Sequence, residues 1–144
     1  NLCGGGYLAD TVSELIDKYG LHDYVNMLGE IRHDQMMSYY YNADVFVMPS
    51  LRETGGTVLI EAMAYGLPIV AFNTSFCTQL KRRDCGIFVE TNQALNEIKT
   101  DFCSALVELS RNRQLCCRLG TNGYRYVNEE LTWEKKYNSI LETT

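Results

Sequence analysis

The chain has 144 residues, 46% hydrophobic and 22% charged, with a net charge of −5 at pH 7. That length allows one domain with a real core, and no apolar run is long enough to span a bilayer. The acidity is uneven: residues 1–72 hold three cations (Lys18, Arg32 and Arg52) against nine carboxylates, whereas residues 73–144 hold ten against nine. An acidic half argues against nucleic acid as a partner, because affinity for nucleic acid comes mainly from neutralising phosphates.

Taken in chain order, strands and helices alternate. Leu2–Cys3 reads as the end of a strand that runs into Gly4–Gly6. Leu8, Val12, Leu15, Ile16 and Tyr19 have helical spacing, with Asp10 and Glu14 early and Gly20 as the stop. Val25–Leu28 is a short apolar strand ending at Gly29, and Asp34 is placed to cap a helix through Tyr41. Val45–Met48 reads as a buried strand ended by Pro49 and Ser50. After a loop, a helix starts near Gly56 and runs to Tyr65, with Gly66 at its end. Pro68–Phe72 and Gly86–Val89 are two more apolar strands. Ile98, Phe102, Ala105, Leu106 and Leu109 then mark one amphipathic helix, and Leu115, Leu119, Tyr126 and Val127 a second. Thr132 caps a third, with Trp133, Tyr137, Ile140 and Leu141. The pattern gives an α/β fold: a Rossmann-like, mostly parallel sheet with helices on both faces, in a single domain over residues 1–144.

Ligands of such sheets bind outside the carboxyl ends of the strands. Gly4–Gly6, Gly29–Arg32, Pro49–Gly56 and Phe72–Cys77 all follow strands and should cluster there. The most informative stretch is E-T-G-G-T-V-L-I-E-A-M-A-Y-G-L-P, from Glu53. Glycines at 55 and 56 let backbone amides approach an anion, and a helix start adds its positive dipole end. Glu61 lies about two turns into that apolar helix and can face the same crevice. Carboxylates accept hydrogen bonds from diols and amides donate them to phosphate, so the stretch suits a nucleotide-sugar.

Other features carry less. The six cysteines form no C-x-x-C and there are two histidines, which speaks against zinc. Cys103 and Cys116 fall in apolar helical patterns, where a free thiol packs as a small hydrophobe, and the set suits a reducing, cytosolic setting. The start N-L-C-G-G-G-Y has neither the basic nor the hydrophobic stretch of a signal peptide. Lys81-Arg82-Arg83 reads as a solvated face, with peripheral contact at the inner face of a membrane as the minor reading. Tyr39–Tyr41 reads as helix packing.

Several segments together resemble the C-terminal domain of group 1 (family four) retaining glycosyltransferases of the GT-B fold. They are C-G-G-G, V-N-M-L-G-E-I, the run from Y-Y-N-A-D-V-F-V-M-P-S-L-R-E to L-P-I-V-A, D-C-G-I-F-V and L-T-W-E-K-K-Y, in the family's order across nearly the whole chain. The resemblance implies that Glu53 contacts hydroxyls of the donor sugar and serves catalysis, and that Gly55, Gly56 and Thr57 hold the diphosphate. It further implies that Glu61 binds the ribose, and that Gly29 and Ile31 lie against the base. Gly4 and Gly5 belong to a loop near the site or form a plain turn; Arg52 is a phosphate partner or a surface cation.

Implied with these roles are a UDP- or GDP-sugar donor, retention at the anomeric carbon, and no metal or other cofactor. The acceptor, a glycan or lipid-linked glycan for example, would be held by an N-terminal acceptor-binding domain of the same enzyme, so the chain alone should turn over little. Two departures stand out. The family's domain begins with a further strand and helix that carry an Arg and a Lys for the phosphates, whereas this chain starts after that point. The usual glycine turn after P-I-V-A is replaced by Phe72-Asn73-Thr74-Ser75. A non-catalytic nucleotide- or partner-binding module is the alternative reading, and a nucleotide-sugar epimerase of similar architecture a third.

Overall fold

A computed structural model describes residues 1–51, 56–132 and 135. The chain forms two compact units, 1–39 and 40–144. In the first unit, β1 (Leu2–Cys3) pairs in parallel with β2 (Met27–Gly29), and α1 (Ala9–Tyr19) connects them. Gly20 ends α1 in the left-handed conformation, φ 62°, as a glycine stop should. The helical stripe expected on α1 forms, but Ile16 alone of its residues is buried; Leu8, Leu15 and Tyr19 are exposed. The strand expected at Val25 starts two residues later. Tyr24 and Val25 amides both donate to the Leu21 carbonyl at 2.9 Å, which holds them in a turn.

Helix α2 (His33–Tyr41) follows β2 and runs across the boundary between the units. Asp34 does not cap it. The first amides of α2, from Gln35 and Met36, donate to the Arg32 carbonyl, so Arg32 takes the capping position and Asp34 lies inside the first turn. Asp34 instead accepts from the Arg32 guanidinium at 2.7 and 3.1 Å.

The second unit contains a parallel sheet of β3 (Phe46–Met48), β4 (Ile69–Phe72) and β5 (Gly86–Val89), in that spatial order. Register runs without a break from Phe46↔Ile69 to Met48↔Ala71 and from Ile69↔Gly86 to Phe72↔Val89. The run I-V-A-F makes β4 the central strand, and Ile69, Val70 and Ala71 are fully buried, as an apolar strand between two parallel neighbours requires. β3 is less buried than its sequence suggests: Met48 is buried while Val47 is exposed.

Helix α3 (Thr57–Ala64) joins β3 to β4, and α4 (Ser75–Lys81) joins β4 to β5. The sequence pattern predicts no helix between Phe72 and Gly86, so α4 is an addition by the structure. Its Cys77 and Leu80 are buried three residues apart, a helical interval too short-lived to stand out among polar neighbours.

Helices α5 (Leu95–Arg111) and α6 (Arg113–Glu130) follow the expected periodicity. Phe102, Ala105 and Leu109 of α5 and Leu119 of α6 close a core with Val70 and Val89. The Glu97 carboxylate accepts from the Ala94 amide at the start of α5, and Asn112 Oδ1 accepts from the Leu115 amide at the start of α6. α6 comes close to α3 because it carries glycines at 120 and 123 on one face. A Cβ at position 120 would sit 2.0 Å from the Gly66 carbonyl oxygen, and one at 123 would press on Met63. Asp84, left-handed at φ 49°, enters β5 with its carbonyl held by the Asn122 side chain at 2.9 Å. The Lys135 amide donates to Thr132 Oγ1 at 3.4 Å, in keeping with a cap there. Trp133, Tyr137, Ile140 and Leu141 lie outside the described residues.

Candidate functional site

Two turns of the first unit hold the glycines singled out by sequence. Gly4 follows β1 with φ 116°, and Gly29 ends β2 with φ 65°, backbone that favours glycine. The Gly4 amide donates to the Gly29 carbonyl at 2.7 Å, so the two strand-end turns are tied together. Beside them lies a group the sequence reading passed over. Glu30 packs its side chain toward Gly5, with Oε1 3.6 Å from where a Cβ at position 5 would be. The nearby cation, Arg32, is bridged to Asp34. The turn thus presents a carboxylate and main-chain groups, chemistry that suits hydroxyl or amine donors better than a bare phosphate. Ile31 follows directly and is partly buried.

The second unit holds the other half of the candidate set. Gly56 precedes α3 in the left-handed region at φ 61°, and its carbonyl accepts from both the Leu59 and Ile60 amides at 2.9 and 3.0 Å. The amides of Thr57 and Val58 therefore form the open, positive end of α3, and both residues are exposed. No acidic residue sits in the first turn of α3, and no side chain caps it. Phe76 covers the other side of Gly56, so closely that a Cβ at 56 would lie 2.1 Å from the ring. Position 56 is therefore restricted to glycine both by conformation and by space. This ring stands next to the Phe72–Ser75 run that replaces a glycine turn, a contact no local pattern announces.

Glu61 lies four residues after Thr57 on the same helix, about one turn in and not the two expected, because α3 begins only at Thr57, and it is partly buried. Its Oε2 accepts from the Tyr40 hydroxyl at 3.2 Å. Tyr40 is buried, packed edge-on against Phe46 and tilted against Tyr65. The expectation that the Tyr39–Tyr41 run serves packing holds for Tyr40, while Tyr41 is exposed. Arg52, Glu53 and Gly55 lie outside the described residues.

At the carboxyl ends of β4 and β5 a polar network closes the sheet edge. The Asn73 amide donates to the Val89 carbonyl at 2.7 Å, and its side chain donates to both Glu90 oxygens. Lys81 pairs with Glu90 at 2.6 Å, and these two hydrogen-bonding partners, Lys81 first, hold the Glu90 carboxyl below its ordinary value. Arg83 pairs with Glu130 and lies over the Tyr126 ring. Two members of the Lys81–Arg83 run thus have partners within the fold. A cavity of about 730 Å³ runs along the outer side of α5 between Lys99 and Asn112 and is lined by none of the candidate residues. It is an open trough on one helix, so the glycine turns and α3 remain the chemically better-equipped places.

All six cysteines are free. Cys103 is exposed, contrary to its apolar sequence context, because it lies on the outer side of α5, away from Phe102 and Ala105. The buried thiols are Cys77 and Cys85, and burial pushes Cys85 up to about 11. Among the described residues no cluster of three or more His, Cys, Asp or Glu could hold a metal ion, and no helix is long and apolar enough to cross a membrane.

Residues 1–125 match the family model described as Glycosyl transferases group 1. The gpi3 subunit of phosphatidylinositol N-acetylglucosaminyltransferase from Schizosaccharomyces pombe is 37% identical over 70 residues, covering 49% of this chain and 15% of that protein. A GDP-mannose-dependent alpha-(1-6)-phosphatidylinositol monomannoside mannosyltransferase from Mycobacterium tuberculosis is 26% identical over 140 residues, covering 92% of this chain and 35% of that one. The pneumococcal O-GlcNAc transferase GtfA, solved with UDP and GlcNAc, shares the fold at a TM-score of 0.77 with 21% identity, over 98% of this chain and 28% of that one. The chain therefore spans about a third, or less, of the length of these relatives.

Proposed function

Because the chain belongs to the group 1 glycosyl transferases and shares the GT-B fold of its structural neighbours, we propose that it is the donor-binding part of a retaining glycosyltransferase. The donor is a nucleoside diphosphate sugar. Among similar proteins one is named GDP-mannose-dependent and another was solved with UDP, which supports a UDP- or GDP-linked sugar. The acceptor, a glycan or lipid-linked glycan, is held by an N-terminal domain across a cleft; the phosphatidylinositol monomannoside in one relative's name supports the lipid-linked kind.

One observation carries the reading: a left-handed Gly56 opens α3, its first residues Thr57 and Val58 are exposed, and Glu61 stands one turn further along the same helix. In this assignment the main-chain donors of Gly55, Gly56 and Thr57 hold the diphosphate. Glu61 accepts from the ribose hydroxyls, and Glu53 accepts from the transferred sugar. Gly29 and Ile31 line the base, Gly4 and Gly5 belong to a loop near the donor, and Arg52 adds positive charge. Catalysis rests on donors already aimed at the charge that grows on the leaving diphosphate, where such groups act most strongly. The chemistry needs no metal ion.

Thermal unfolding of the whole protein with UDP, GDP, ADP and their sugars tests the proposal. A ligand that binds only the native state at a hundred times its Kd adds about 2.7 kcal/mol of stability, so the true donor base separates from the others. Absence of a shift with every nucleotide would remove the donor-binding role. Replacing Glu61 by Ala should then weaken the nucleotide that shifts the wild type, as measured by calorimetry.

A further inference from the structure

We propose that Tyr40 is a positioning residue for Glu61, its phenol hydroxyl aiming the carboxylate that meets the ribose diol of a nucleotide. The inference rests on the donor-binding reading above and adds to it a residue 21 positions away in sequence.

Tyr65, at the C-terminal end of α3, follows Glu61 by about one helical turn. The Tyr40 ring packs against Tyr65, with centroids 5.7 Å apart, and against Phe46 at the start of β3, 5.8 Å away. Its hydroxyl reaches Glu61 Oε2 at 3.2 Å. Two aromatic neighbours, Phe46 and Tyr65, hold the ring that carries this hydroxyl. Tyr40 is 4% exposed, and a buried tyrosine hydroxyl needs a partner. The partner here is a carboxylate, which makes the bond charge-assisted.

A glutamate has three rotatable bonds and loses rotamer entropy when it must adopt one orientation to meet a diol. A donor held by a packed ring defines that orientation before ligand arrives. A carboxylate accepts at about four lone-pair sites, so the Tyr40 bond takes up only part of that capacity. Tyr40 can therefore aim Glu61 and leave it able to accept from vicinal hydroxyls. The competing explanation is a purely structural tether between Tyr40 and α3.

Tyr40→Phe separates the two, since it keeps the ring and removes only the hydroxyl. Calorimetry on the whole protein would measure UDP and GDP beside their 2′,3′-dideoxy counterparts. We expect the ribonucleotide to weaken on the order of tenfold, the loss of one hydrogen bond to a charged group, while the dideoxy nucleotide binds as it does to the wild type. Equal weakening of both nucleotides makes Tyr40 a tether and overturns the proposal, as does unchanged ribonucleotide affinity. Wild-type protein that binds ribo and dideoxy forms equally removes the ribose role of Glu61 and Tyr40 with it. Wild-type protein that binds neither UDP nor GDP overturns the donor-binding reading itself. A Glu61→Ala, Tyr40→Phe double variant should bind no worse than Glu61→Ala alone, because a positioning residue has nothing left to position.

Discussion

The two units use the same alphabet and reach different ends. Residues 1–39 and 40–144 both alternate parallel strands with amphipathic helices. Among the described residues, the first unit buries one hydrophobic side chain, Ile16, and exposes Leu2, Tyr7, Leu8, Leu15, Tyr19, Tyr24 and Met27. The second buries the rest of the core, including Leu59, Met63, Ile69, Val70 and Leu80 with no exposure at all. The difference is one of opposing surfaces. In the second unit, β4 has a strand on each side, α5 packs on β4 and β5, and α6 packs on α3. In the first, two short strands, α1 and the first part of α2 do not supply enough facing area. Apolar periodicity shows where an element could bury a face and says nothing about whether a face exists to receive it.

Core substitutions should expose that contrast most strongly. Leu59→Ala in the whole protein should lose about 2–5 kcal/mol, the range for deleting a fully buried leucine. Leu15→Ala, at 45% exposure, should lose less than about 1 kcal/mol. Urea unfolding followed by circular dichroism measures both. Equal losses would mean that the first unit's helix is packed in the whole protein as tightly as α3, and would end the comparison.

Thiol chemistry sharpens it next. Cys3 in the first unit and Cys103 and Cys117 in the second are exposed, while Cys77 and Cys85 are buried. Under native conditions iodoacetamide should label the exposed three and reach Cys77 and Cys85 only after unfolding, as peptide mass mapping would show. Protection of Cys3 would reveal a covered first strand. The folded value of Cys85 lies above its ordinary 9.0, at about 11. Its contribution is therefore complete below pH 9 and is lost as pH rises toward 11.

The smallest effect belongs to Glu90. Lys81 and Asn73 lower its folded value, so its contribution is present above the unfolded value near 4.5 and disappears as pH falls through the lower folded one. Glu90→Gln should flatten that acid limb of a melting profile taken from pH 7 to pH 3 and leave a modest deficit at neutral pH, since solvent screens this exposed pair. An unchanged acid limb would show that the Asn73–Glu90–Lys81 network does not hold the sheet edge.

Local signals in the sequence foretold much of this architecture. Gly20 and Gly66 end helices where expected, I-V-A-F forms the central strand, and the spacing of Phe102, Ala105 and Leu109 finds the longest buried helix face. The misses share a cause. Val25 is held by turn hydrogen bonds, Asp34 yields its cap to Arg32, and Cys103 turns outward, each decided by neighbours that periodicity does not weigh. At the candidate site the motif named Gly56, Thr57 and Glu61 correctly as parts of one helix start. It could not name Tyr40, Phe76 or Glu30, whose importance arises from contacts across long or oblique separations. The roles of Arg52, Glu53 and Gly55 remain readings of sequence.

The approach of Gly120 to the Gly66 carbonyl leaves two main chains touching with no pliable side chain between them. Such a contact transmits displacement instead of absorbing it. A fluorophore on the outward side of α6 should therefore report movement of α3 from a distance, and a randomised codon at 120 should come back from selection as glycine.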